Sequence, residues 1–76
     1  MAFSKLKTLA RGCELSLLEK DIKSDRKYIR IFLTNENNAQ AIVACEEHIT
    51  NKLRAGQFNI SQLLDCRYNP KTKMIQ

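Results

Sequence analysis

One stretch constrains the fold of this chain more than any other: residues 36–58, ENNAQAIVACEEHITNKLRAGQF, the longest segment with a single consistent period. Ile42, Cys45, Ile49 and Leu53 recur at steps of three and four, with Ala41 beside them, so on a helix they line one face. Gln40, Glu47, Asn51 and Arg54 fall on the opposite face. Asn37 or Asn38 is placed to cap the start, because a short amide side chain accepts from the first free backbone N–H groups. Gly56 stands where a left-handed residue closes a helix, and Phe58 follows where it can fold back onto the last turn. This spacing predicts a central helix.

On either side the period changes. Residues 3–12 read as a short helix, with Ser4 as cap, Gly12 as stop, and Phe3, Leu6, Leu9, Ala10 and Cys13 on one face. Ten residues are too few for a helix to stand alone in water, so this one must dock. From Glu14 to Thr34 the apolar residues alternate. Two antiparallel strands are expected, at about residues 13–20 and 27–34, joined by a turn at 23–26. Ile29, Ile31 and Leu33 share one face of the second strand; Tyr28, Arg30 and Phe32 share the other. Residues 60–68 fit a short helix capped by Ser61 or a strand with Leu64, Cys66 and Tyr68 on one side, and the strand is favoured. Asn69 and Pro70 open a turn, after which residues 73–75 can pair back.

The expected architecture is therefore one α+β domain over residues 1–76. It is a small antiparallel sheet of three to four strands, in the order α-β-β-α-β(β), with two helices packed on one face. A chain of 76 residues buries roughly 60–65% of its unfolded surface, so the core is thin and a partner or second copy would add stability. The three cysteines, an odd number without a recognisable export signal, point to reduced thiols and a cytoplasmic setting.

The net charge is +5 and it is unevenly placed. Lys5, Lys7 and Arg11 near the start, and Arg67, Lys71 and Lys73 near the end, have no acid in their own segments. The central stretch sets Glu36, Glu46 and Glu47 against Lys52 and Arg54. Such polarity suits an anionic partner.

Chemistry-bearing constellations are sparse. Cys45 and His48 are three apart, and Cys13 and Cys66 would complete a Cys3His set, but no tight C-x2-C pair of the usual zinc knuckle occurs. Cys45 lies within the apolar stripe, where a buried thiol is ordinary. A Cys45–His48 nucleophile pair lacks a glycine-rich loop to build an oxyanion site, since the chain has two glycines in all. Glu46 and Glu47 are adjacent and diverge by about 100° on a helix, so they do not form a carboxylate pair. No catalytic residue, metal or cofactor is assigned.

The functional expectation is a small non-enzymatic basic binding protein. Its surface would be the basic and aromatic strand face of Arg26, Lys27, Tyr28, Arg30 and Phe32, joined by Lys7, Arg11, Lys71 and Lys73 from the ends. Cations neutralise phosphates and a ring on an open sheet stacks on an unpaired base, so the partner would be nucleic acid or a nucleic-acid-bound assembly. Three acids, Glu19, Asp21 and Asp25, dilute the same hairpin. The alternative is a protein-interaction module, an inhibitor or adaptor of the kind phages and mobile elements encode, docking on a larger host protein. Aromatic residues with Arg compose interface hot spots as well. Homodimerisation through that face or a sheet edge is the plainest form of this alternative.

Overall fold

The computed structural model describes residues 4–76. Phe3, assigned above to the first helical face, lies outside the described residues. The elements in chain order are β1 (Ser4–Lys5), α1 (Leu6–Leu9), β2 (Cys13–Leu17), α2 (Glu19–Lys23), β3 (Arg30–Asn35), β4 (Gln40–Cys45), α3 (Glu47–Arg54), α4 (Ile60–Leu63), β5 (Arg67–Asn69) and β6 (Met74–Ile75). The strands form one sheet in the order β1-β5-β6-β4-β3-β2. All neighbours are antiparallel except β4 and β6, which run parallel. The α+β class stands, but the described residues hold six strands and four helices, and the sheet is mixed rather than antiparallel throughout.

The main correction concerns residues 36–58. Its first half is a strand and only its second half is a helix. The three- and four-residue steps through Ile42 and Cys45 coincide with a second pattern of period two. Val43 and Cys45 point inward and are buried, while Ile42 and Ala44 point the other way. The β-branched pair Ile42-Val43 favours the extended backbone, and β3 offers a partner for it. Asn37 and Asn38 cap no helix. Asn38 adopts φ +62°, and Asn35 Oδ1 accepts the N–H groups of Asn37 and Ala39 at 2.9 and 3.1 Å. Short amide side chains that bond the backbone two residues on make a hairpin turn as readily as a cap.

The stop signal at Gly56 reads as expected. Gly56 has φ +70°, its N–H donates to the Leu53 carbonyl, and the next N–H, on Gln57, reaches back to Lys52. This is the paired bonding of a Schellman closure. Phe58 then packs against the core with Lys52 Nζ 5.9 Å from its ring.

The β2–β3 hairpin is present with Leu15 opposite Leu33 and Leu17 opposite Ile31. Between its strands lies α2 rather than an open turn. Glu19 and Asp21 in its first turn and Lys23 in its last follow the helix dipole, and Lys23 pairs with Glu19 at 2.8 Å. Tyr28 belongs to the segment ahead of β3, not to the strand itself. The first helix is shorter than its pattern, because residues 4–5 pair with β5 and Gly12, at φ +75°, turns the chain into β2.

The tail uses both readings in succession. Asn59, not Ser61, caps α4: its side chain accepts from the Gln62 N–H while the Gln62 side chain accepts from the Asn59 N–H. Strand β5 then pairs with β6 across the 70–73 turn, with Tyr68 opposite Ile75.

One sheet face carries Ile31, Leu33, Val43, Cys45, Tyr68 and Ile75. Leu6 and Ala10 from the α1 segment, Ile49 from α3 and Leu63 from α4 pack onto it. Each fully buried aliphatic side chain contributes on the order of 2 kcal/mol of transfer free energy. None of these packing residues covers the other sheet face, which α2 touches through the Asp21–Arg30 pair.

Candidate functional site

Register decides what the uncovered face displays, because directly opposed residues point to the same side. Ser16, Phe32 and Ile42 form one row across β2, β3 and β4. Arg30, Ala44, Met74 and Asn69 form the next, across β3, β4, β6 and β5. Ile42 is 48% exposed, the most open of the large apolar side chains among the described residues. Strand β6 meets only Ala44 and Cys45 of β4, leaving residues 40–43 with no strand partner on that side among the described residues. On the flank, Lys5 stands directly opposite Arg67, two exposed cations with no ion pair among the described residues. Like charges set opposite one another destabilise a strand pair, so this flank carries unused positive potential.

The structure separates the nine residues singled out from the sequence. Arg30 and Phe32 lie on the uncovered face as expected, but Arg30 is engaged. Its Nε and Nη2 donate to Asp21 Oδ2 and Oδ1 at 2.9 and 3.1 Å, and its guanidinium carbon lies 6.0 Å from the Phe32 ring. Asp21 is 2% exposed. The hydrogen bonds from Arg30 hold its carboxyl below the usual aspartate value, against the opposing push of burial. The same pairing raises Arg30. Arg30 therefore serves the fold first.

Lys27 Nζ lies 3.6 Å from Glu47 and 6.0 Å from the ring of Tyr28, which is 41% exposed. Arg26 is exposed and makes no ion pair among the described residues. The end cations do not merge into one patch. Lys5 opposes Arg67, and α1 continues from Lys5, so Lys7 and Arg11 sit at the Arg67 end of β5. Lys71 and Lys73 sit in the turn at its Asn69 end, where the Lys73 carbonyl accepts the Ala44 N–H at 3.0 Å.

The residues that sequence reasoning missed are Ile42, Ala44 and Met74 at the centre of this face. The helical reading had placed Ile42 in the core stripe. Arg54 was also missed as a structural group: it donates to the carbonyls of Ile22 and Asp21, each at 3.1 Å, tying α2 to α3.

Cys45 is buried on β4, and burial, with a contribution from Cys66, pushes its thiol up to about 12. It stays protonated at neutral pH, which does not suit a nucleophile. His48 lies on the exposed side of α3 and borders a shallow groove with Asp65 and Cys66 instead. Among the described residues no three His, Cys, Asp or Glu side chains are grouped to hold a metal ion, so Cys13, Cys45, His48 and Cys66 do not converge. No helix of the described residues is long and apolar enough to cross a membrane.

The sequence matches no protein-family model, and neither a curated protein nor a solved structure is similar enough to set beside it.

Proposed function

We propose that this chain is a non-enzymatic binding protein that docks a larger, negatively charged protein through the uncovered sheet face. The observation that carries this reading is Ile42, 48% exposed and paired across the strands with Phe32. With Ala44 and Met74 in the next row they make an apolar centre, and Lys5 and Arg67 supply a basic flank. A desolvating apolar centre with a charged rim is the anatomy of a protein interface. The net charge of +5 speeds encounter with an acidic partner.

Nucleic acid is the second reading, favoured by the Lys5–Arg67 pair, which no acid among the described residues neutralises, and by Arg26, Lys71 and Lys73. It is the weaker of the two because Arg30 is held by Asp21 and the centre of the face is aliphatic. A base needs a ring or a guanidinium plane to stack on, and Phe32 is already half covered.

Co-purification from the native cell, with and without nuclease and at low and high salt, separates the readings. One protein should remain through both treatments and be lost in Ile42→Asp, a substitution on an open face that leaves the core intact. Release of nucleic acid by nuclease or salt, abolished in Lys5→Glu/Arg67→Glu and indifferent to Ile42→Asp, overturns the protein reading in favour of phosphate binding.

A further inference from the structure

A second surface lies on the opposite side of the sheet and is not used by the docking face. A groove of about 560 Å³ runs between α1 and β2. Ala10, Leu15 and Leu64 give it an apolar floor, with Cys13 between, and Lys7 and Arg11 stand on its rim. Neither cation has an ion pair, and no acid lines the groove among the described residues.

The strand beside this groove is an edge. Strand β2 pairs with β3 alone. Antiparallel bonding alternates, so the pattern can be followed across the sheet. The Cys45 N–H donates to the Ile29 carbonyl, and the Asn35 N–H donates to Ala39, so odd positions of β3 bond towards β4. Even positions then bond towards β2, through Glu14 and Ser16. The N–H and C=O groups of Leu15 and Leu17 consequently face outward, where the described residues provide no strand. Cys13 obeys the same alternation: its N–H leaves the ladder and donates to Ala10 at 2.8 Å. Leu15 thus places its side chain in the groove and its backbone on the open edge.

We infer that β2 is a strand-addition site for an extended segment of another protein, bearing an aliphatic and an acidic residue two positions apart. The incoming backbone pairs with Leu15 and Leu17. On its inward face the aliphatic side chain covers Ala10 and Leu64, and the carboxylate meets Lys7 and Arg11. Main-chain bonds supply affinity in such additions, and alternate side chains supply selectivity. A second copy of this chain is the poorer occupant. The inward face of β2 offers Cys13, Leu15 and Leu17 but no acid, since Glu14 points the other way. Self-pairing would bring two sets of Lys7 and Arg11 to one seam with nothing to neutralise them.

The test is titration of the isotope-labelled full chain with a blocked peptide of about eight residues, a typical strand length. Val and Glu alternate on one strand face of this peptide and Thr fills the other; a control carries Lys in place of Glu. The Glu peptide should shift the Leu15 and Leu17 amide signals, slow their hydrogen exchange, and bind roughly tenfold or more tighter than the Lys peptide. Lys7→Glu/Arg11→Glu should reverse that preference; if the pair disturbs the remaining amide spectrum, Arg11→Glu alone should erase it. Equal binding of both peptides, no binding at millimolar concentration, or Leu15 and Leu17 amides already protected by self-association each overturn the inference. Ile42→Asp leaves this site untouched, so failure here and failure of the docking face are separate results.

Discussion

At the scale of single residues, Thr50 shows how a polar group earns a place in so small a core. It is fully buried on α3, and its Oγ1 accepts the Ile29 N–H at 3.2 Å. Ile29 precedes β3 and is itself buried, so without Thr50 its N–H would have neither a ladder partner nor water. Thr50→Val keeps the shape and removes the acceptor. It should lower the unfolding free energy by about 1–2 kcal/mol, while Thr50→Ser, which keeps the hydroxyl, should leave the Ile29 amide protected from exchange. Urea unfolding with amide exchange measures both. Unchanged exchange at Ile29 in the valine variant would show that the hydroxyl is not the acceptor.

At the scale of elements, short strands and helices depend on how they are closed. Helix α3 is the longest, at eight residues, and lies below the length at which helices persist alone in water. Its Schellman closure requires the left-handed conformation at Gly56, whose added Cβ would meet nothing within 4 Å. Any cost of Gly56→Ala is therefore conformational and not steric against neighbours. We expect about 1 kcal/mol of destabilisation in chemical denaturation. No loss would mean that α3 can end without the left-handed residue.

At the scale of the whole molecule, α2 is stapled between the sheet and α3. The Asp21 carboxylate takes Arg30 of β3, and the Asp21 carbonyl takes Arg54 of α3. The folded carboxyl titrates below its ordinary value of 3.8, chiefly through the Arg30 hydrogen bonds. Its contribution to stability is therefore complete above the unfolded value and disappears as pH falls through the folded one. Thermal melts should fall in midpoint as pH drops from about 4 towards 2. Asp21→Asn should start lower at neutral pH and follow a flatter acid limb. A parallel acid limb in that variant would place the acid sensitivity in other carboxyls.

Local chemistry determined much of this protein without help from the fold. The alternation through Leu15, Leu17, Ile31 and Leu33 marked two antiparallel strands and the side chains that share one face, because a half-buried strand reads directly as period two, while the register came from the pairing itself. Gly12, Gly56 and the Asn69-Pro70 turn marked true chain reversals, since backbone conformation there depends on the residue itself. The candidate site was legible only in part: Phe32 and Arg30 were assigned to the right face, while Ile42 was hidden by a spacing that fits a helix as well as a strand. Tertiary structure decided that ambiguity, because β3 supplies hydrogen-bond partners that a helix over residues 40–45 would have to find within itself. It also decided which cations are free. Asp21 and Arg30 are nine residues apart in sequence and Glu47 and Lys27 twenty, distances over which no local pattern reports a pairing.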